Sequence, residues 1–168
     1  MAKQKVTKKQ EAQDEIFIKR EDVNQYETYE YKTEKQLEEI IIENITAFCK
    51  NILEDEYISH ERQYNINGRK GGNKRRTRYL LIIDILIKCK HKNYVVELKK
   101  PKFISGNREA IGQLLNYGLY FDETKTELIL VTTKLDTDTA CVIDKYKLPI
   151  KYIFIDKNRY AIHNGTSK

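Results

Sequence analysis

Cysteine is scarce in this chain and poorly placed for metal or disulfide chemistry. The three residues, Cys49, Cys89 and Cys141, lie far apart, are odd in number and form no Cys-x-x-Cys. That spacing excludes the common zinc motifs and a complete set of disulfides. It fits a reducing, intracellular location. Each cysteine sits in an apolar pattern and is expected to be a small buried residue. Glycine and proline are also few, at seven and two, and no internal repeat is present. Gly71-Gly72 leads into no Gly-Lys-Ser/Thr and no helix, so a phosphate-binding P-loop is excluded. No apolar run reaches the roughly 18–20 residues that span a bilayer. The N-terminus is too charged for a secretory leader. A cytoplasmic protein without membrane contact is expected.

What the chain has in excess is charge. Of its 168 residues 33% are charged, with a net charge of +6, against 40% hydrophobic. That length suits one domain with a real core. The basic excess suits a polyanionic partner such as nucleic acid. Residues 1–32 read as a charged N-terminal extension, residues 33–162 as one domain, and 163–168 as a tail. Within the extension, Ile16-Phe17-Ile18 is a short apolar patch able to dock on the body. Tyr26, Tyr29 and Tyr31 follow among glutamates and are expected to pack on the domain or stack on bases.

The rest is organised around 78–100, RYLLIIDILIKCKHKNYVVELKK. Two apolar runs flank the polar turn Lys90-His91-Lys92-Asn93, and such runs read as strands buried on both faces. Asp84 lies in the middle of the first run, and the second ends on Glu97-Leu98-Lys99. Side chains alternate along a strand, so Glu97 and Lys99 share a face. Paired as a hairpin, the runs bring Asp84 beside Glu97. Ionised carboxylates in an apolar setting must be paired, bind a metal or take up a proton. A hard divalent cation resolves the conflict, because such ions prefer carboxylate oxygens and keep waters for chemistry. Asp84, Glu97 and Lys99 therefore read as a metal-dependent hydrolytic site. The plainer alternative is an Asp84–Lys99 structural salt bridge, or an Asp84 facing solvent on a sheet edge.

A helix is predicted over 33–53. Thr33 with Gln36 gives a capping-box start. Leu37, Ile41, Ile45, Phe48 and Ile52 recur at helical spacing and define its buried face. Glu38 lies toward that face, as does Glu34 in the first turn, while Glu39 and Glu43 point to solvent. Glu38 either reaches the metal site or edges the stripe. A strand is predicted over 57–66, with His60 at its surface. The segment 67–78 carries Arg69, Lys70, Lys74, Arg75, Arg76 and Arg78. A basic loop between two strands suits phosphate contacts; a solvated hairpin tip is the alternative. Pro101 ends the central strand. A second helix is predicted over 108–121 with Ala110, Leu114, Tyr117 and Phe121 inward. Gln113 flanks that stripe, where it can hydrogen-bond Lys99 or water, or stay half-exposed. A strand over 127–133, a helix over 136–146 capped by Asp136 or Asp138, and strands over 152–155 and 159–162 complete the chain.

The order helix, three strands, helix, strand resembles the core of the PD-(D/E)XK nuclease superfamily, the restriction-endonuclease-like and RecB-like nucleases. The resemblance covers about 33–133. It is carried by Ile83-Asp84, then Glu97-Leu98-Lys99, by Glu38 in the first helix, and by Gln113-Leu114-Leu115-Asn116-Tyr117, which is similar to the Gln-x-x-x-Tyr motif of RecB-like members. Ile83 stands where the family name has proline. The resemblance implies an α/β fold with an αβββαβ core, its mixed sheet flanked by helices. It implies phosphodiester hydrolysis with Mg²⁺ or Mn²⁺. Asp84, Glu97 and the Leu98 carbonyl would hold the metal, with Glu38 supporting a ligand water or a second ion. Lys99 would position or deprotonate the attacking water, and Gln113 would orient Lys99. Lys100, Lys102 and the basic loop would grip flanking phosphates of DNA, duplex or branched in preference to RNA. A homodimer is among the expectations, since many small members pair. The alternatives are a nucleic-acid-binding module of the same fold without cleavage, an RNA-preferring nuclease, and a small α/β protein with structural salt bridges alone.

Overall fold

The two apolar runs do pair as an antiparallel hairpin, and the sheet grows outward from it on both sides. The computed structural model describes residues 17–19, 33–66, 81–100, 105–134, 136–156 and 159–163. The readings made for the N-terminal tail, Ile16, the three early tyrosines, the basic segment 67–78, Pro101, Lys102 and the last five residues lie outside these. The elements are β1 (Ile18–Lys19), α1 (Glu34–Glu43), α2 (Ile45–Phe48), a π-helical turn (Cys49–Leu53), β2 (Tyr57–Asn65), β3 (Ile82–Cys89), β4 (Asn93–Lys99), α3 (Ser105–Gly118), β5 (Thr126–Thr132), α4 (Thr137–Lys145), β6 (Ile150–Asp156) and β7 (Arg159–His163).

Among the described residues the strands form one seven-stranded mixed sheet in the order β1-β7-β6-β5-β4-β3-β2. β2, β3 and β4 are antiparallel neighbours. β4, β5 and β6 run parallel, linked by α3 and α4 as crossovers, as parallel strands require. β7 turns back antiparallel to β6, and β1 adds a short parallel edge to β7. This is the mixed α/β sheet flanked by helices that the order of elements predicts.

The sheet is covered on both faces. Leu37, Ile41 and Phe48 pack on one face against Ile85, Ile87, Val96, Leu98, Ile129 and Val131. Ala110, Leu114 and Tyr117 of α3, with Ala140 and Ile143 of α4, pack on the other against Leu86, Val95, Leu128, Leu130 and Tyr152. Alternate residues of β5 therefore serve opposite layers, which is why its apolar run is continuous. Phe17 joins the first layer edge-on to Phe48, with ring centroids 5.7 Å apart.

The first helix is shorter than its apolar stripe. Thr33 caps α1, its hydroxyl oxygen accepting the Gln36 N–H at 3.1 Å. Asn44 then interrupts the helix with φ −120°, and its side chain donates back to the Ile40 carbonyl at 3.0 Å. The stripe continues through α2 and the π-helical turn, so burial keeps the period while the backbone changes. α3 begins three residues earlier than predicted, at Ser105, bringing in the buried Asn107, which donates to the Tyr152 hydroxyl at 3.1 Å. Asp136 is the residue before α4, and its carboxylate takes the Thr139 hydroxyl. Cys49 and Cys89 are buried as expected, but Cys141 is exposed. In α4 the inward positions are Thr139, Ala140 and Ile143, and at 100° per residue Cys141 turns away from them.

The outer end of the β3–β4 hairpin is tied down by one carboxylate. Asp55 lies beyond the π-helical turn, with its side chain 2% exposed. It accepts the backbone N–H groups of Glu56, His91 and Lys92, the His91 Nδ1 at 2.8 Å and the Tyr94 hydroxyl at 3.1 Å. Burial alone would raise its pKa, but the His91 bond and the other donors outweigh it and lower it to about 2. Its stabilising contribution is therefore present above the unfolded carboxylate range and is lost as pH falls through about 2. Asp55→Ala strands several buried donors at once and should destabilise the fold by about 2–4 kcal/mol. Urea unfolding at pH 7 checks this. A loss below about 0.5 kcal/mol, the ordinary range for a surface change, would contradict it.

Candidate active site

At the other end of the hairpin the ladder gives way to side chains. Backbone pairing of β3 with β4 runs from Lys88↔Asn93 to Ile85↔Val96. Just past it, the Asp84 carboxylate takes the place of a ladder carbonyl, its Oδ2 accepting the Leu98 N–H at 2.8 Å. Ile83 packs with the α3 layer, whereas Ile85, two residues on, packs with the α1 layer. The alternation of β3 thus breaks at Asp84.

The break has a counterpart in β2. Arg62↔Ile85 and Tyr64↔Ile83 are in register on either side. Between them Gln63 has φ +48°, the left-handed region that costs a non-glycine residue about 1 kcal/mol or more. From there the Gln63 side-chain amide donates to Asp84 Oδ1 at 3.3 Å. Both oxygens of Asp84 are thus held by protein donors.

Glu97 is buried, with its side chain 3% exposed, and its Oε1 receives Lys99 Nζ at 2.8 Å. Its Oε2 is enclosed and has no partner among the described residues. Burial and then the charge of Asp84 push the Glu97 pKa up to about 7, against the opposing pull of Lys99. Asp84 is also raised, chiefly by burial, with the Leu98 N–H and the Lys99 charge working against it. Burial would lower Lys99, but the bond to Glu97 and the charges of Glu97, Glu34 and Asp84 win and raise it. Lys99 is therefore held cationic. Three acids bear on one ammonium here, leaving the site with an excess of negative charge.

The charge of a further acid, the exposed Glu34, also reaches the site. Its charge acts on Asp84, Glu97 and Lys99 alike, and its Oε1 accepts the Lys100 N–H at 3.2 Å. Glu38 is buried as the helical stripe indicates, but its Oε1 is engaged by Arg62 Nε at 2.6 Å. Gln113 is half-buried on α3, and its Oε1 has no partner among the described residues. Tyr117, one turn later, has its hydroxyl pKa raised by burial and then by Glu97 and Asp84, and it donates to the Ile82 carbonyl at 2.7 Å. Residues four apart share a helix face, so the Gln113–Tyr117 face of α3 is turned toward the acids. Leu98 is buried in the α1 layer and contributes its N–H to Asp84.

Asp84, Glu97 and Lys99 are thus brought together, with Gln113 on the helix face above them. Glu38 is held by Arg62, and Lys100 meets Glu34 through its backbone. Arg69, Lys70, Lys74, Arg75, Arg76, Arg78 and Lys102 lie outside the described residues. Sequence reasoning missed Gln63 and Arg62, which sit in an ordinary polar–apolar strand with no signal of a site. Glu34 was detectable by helical phase, since it lies one turn before Glu38 on the same side.

The donor set fits a hard divalent cation. A buried carboxylate oxygen without a partner, a second carboxylate beside it and surplus negative charge are what such an ion neutralises. Among the described residues no group of three or more His, Cys, Asp or Glu side chains is arranged to hold a metal. Among the described residues, too, no helix is long and apolar enough to cross a membrane.

No family model matches the chain, and no curated protein matches it. Among solved structures, the chain is similar to the crystal structure of a repair endonuclease from Pyrococcus abyssi, with 20% identity and a TM-score of 0.47 over 78% of this chain and 50% of that one. The chain thus spans half the length of that protein.

The raised Glu97 pKa has a thermodynamic consequence. A carboxyl that binds its proton more tightly when folded stabilises the fold at low pH, and that advantage is lost as pH rises from about 4.5 to about 7. Without metal, wild type should therefore lose stability relative to Glu97→Gln by on the order of 1–3 kcal/mol between pH 5 and pH 8. Urea midpoints across that range measure it. A difference that does not change with pH would contradict the assignment.

Proposed function

We propose that this protein is a nuclease that hydrolyses DNA phosphodiester bonds with a bound Mg²⁺ or Mn²⁺. The single observation that carries the reading is the buried Glu97, with one oxygen on Lys99 and the other without a partner among the described residues, set beside a second acid. Such a site is unfavourable in its charged form unless a proton or a cation completes it. Asp84, Glu97 and the Leu98 carbonyl are the residues that would hold the ion. Bound there, it would lower the pKa of a coordinated water and offset charge developing on the phosphate.

The remaining work falls to the chain's own groups. Asp84 is fixed by its two donors and presents its free lone pairs to the cation. Glu97 would have to give up its proton to serve as a ligand, so cation affinity is expected to rise with pH up to about 7. Lys99 stays charged, which favours orienting the attacking water and stabilising the phosphate over accepting a proton. Gln113 presents an unsatisfied amide oxygen on the same side, suited to hold the Lys99 ammonium or the water. Glu34, at the start of α1, is a helix acid whose charge bears on the site. The net charge of +6 supports a polyanionic substrate. The arginines and lysines of 67–78, with Lys100 and Lys102, are the groups that would contact flanking phosphates.

Linear, circular, single-stranded and branched DNA, with RNA beside them, incubated with Mg²⁺ or Mn²⁺ test the reading. Cleavage should require the divalent ion, and Glu97→Ala and Lys99→Ala should each reduce it by about 100-fold or more. Cleavage that both substitutions leave intact would reject the site. Binding of DNA without cleavage under every condition would favour a non-cleaving module.

A further inference from the structure

We infer that Gln63 is a positioning residue for the cation site: its side-chain amide fixes the Asp84 carboxylate, and its left-handed backbone is retained to deliver that amide. This rests on the nuclease reading of Asp84, Glu97 and Lys99.

The backbone distortion is confined to one residue. Pairing of β2 with β3 is in register at Arg62↔Ile85 and again at Tyr64↔Ile83, with Gln63 at φ +48° between them. Glycine or asparagine occupies that region readily, while a longer side chain is strained there. Glutamine at this position is a poor choice for the backbone alone. Its distinguishing property is reach. The amide extends to Asp84 Oδ1 at 3.3 Å, while the Leu98 N–H holds Oδ2 at 2.8 Å. A carboxylate held at both oxygens by separate strands is biased toward one orientation.

The chemistry of the grip matters as well. A lysine or arginine in this place would neutralise Asp84 and compete with a cation. A neutral amide orients the carboxylate and leaves its charge available. Each carboxylate oxygen has two lone pairs, so one on each remains open after these bonds form. Outer hydrogen-bond partners of metal ligands commonly set metal affinity by 10–100-fold. Gln63 fits that role, and its side chain is exposed, so removing it opens no cavity in the core.

The test separates positioning from ordinary structural support. Gln63→Asn and Gln63→Gly both suit the left-handed backbone, and neither reaches Asp84. We expect them to melt at or above the wild-type temperature while binding Mn²⁺ about 10–100-fold more weakly, as read by electron paramagnetic resonance titration of the full chain without DNA. Gln63→Met, which keeps the length and loses the amide, should also weaken binding. Mn²⁺ affinity within twofold of wild type in the Asn and Gly variants would overturn the inference. So would a loss of affinity that only follows a loss of melting temperature. Failure of the underlying reading looks different: the folded wild-type chain then binds no Mn²⁺, or Asp84→Asn leaves binding unchanged.

Discussion

The structure turns on the imbalance of charge between β3 and β4. Two carboxylates, the buried Glu97 and the half-buried Asp84, meet where the strands stop pairing, and the charge of Lys99 opposes both. Glu34 adds a third negative charge from the start of α1. In a low-dielectric setting this arrangement resists folding. It persists because the rest of the sheet overdetermines it: both faces are packed, and β4 is held between β3 and the parallel strand β5. Three local departures from regular structure fall at this place. Asp84 substitutes for a ladder carbonyl, β3 changes face and Gln63 takes a left-handed backbone.

The two ends of the hairpin form a control within one molecule. Asp55 and Glu97 have similarly little exposed surface, with side chains 2% and 3% exposed. Their pKa values move in opposite directions, Asp55 down to about 2 and Glu97 up to about 7. Burial opposes ionisation in both. The difference is in the surroundings: three backbone N–H groups, a histidine and a tyrosine surround Asp55, whereas Glu97 lies deeper, has the like charge of Asp84 beside it, and has Lys99 on one oxygen and no partner among the described residues on the other. The first carboxylate is finished by the fold. The second keeps one oxygen without a partner among the described residues.

Much of this could be read from the residues. The β3–β4 hairpin is visible as two apolar runs around a polar turn, and the Asp84, Glu97 and Lys99 spacing places all three at its far end. The Leu37–Ile41–Ile45–Phe48–Ile52 stripe gives the first helical layer, and Glu38 falls inward as its phase requires. Other features depend on partners far away in sequence. Glu38 is diverted by Arg62, 24 residues on, which no helical pattern reveals. The break at Asn44 and the π-helical turn leave hydrophobic spacing intact, so periodicity does not register them. Cys141 lies in an apolar stretch but on the wrong side of α4. The Gln63 backbone has no marker, because its neighbours alternate like any edge strand.

The central claim is that the Glu97–Asp84 pair is completed by a divalent cation at the expense of a proton. Calorimetric titration of Mg²⁺ or Mn²⁺ into the full chain at pH 7, repeated in buffers of different ionisation heat, reads it directly. The account predicts binding with release of a fraction of a proton per chain, since burial and Asp84 push the Glu97 pKa up to about 7, and no such release in Glu97→Gln. Absence of binding, or binding with no proton released, would contradict it.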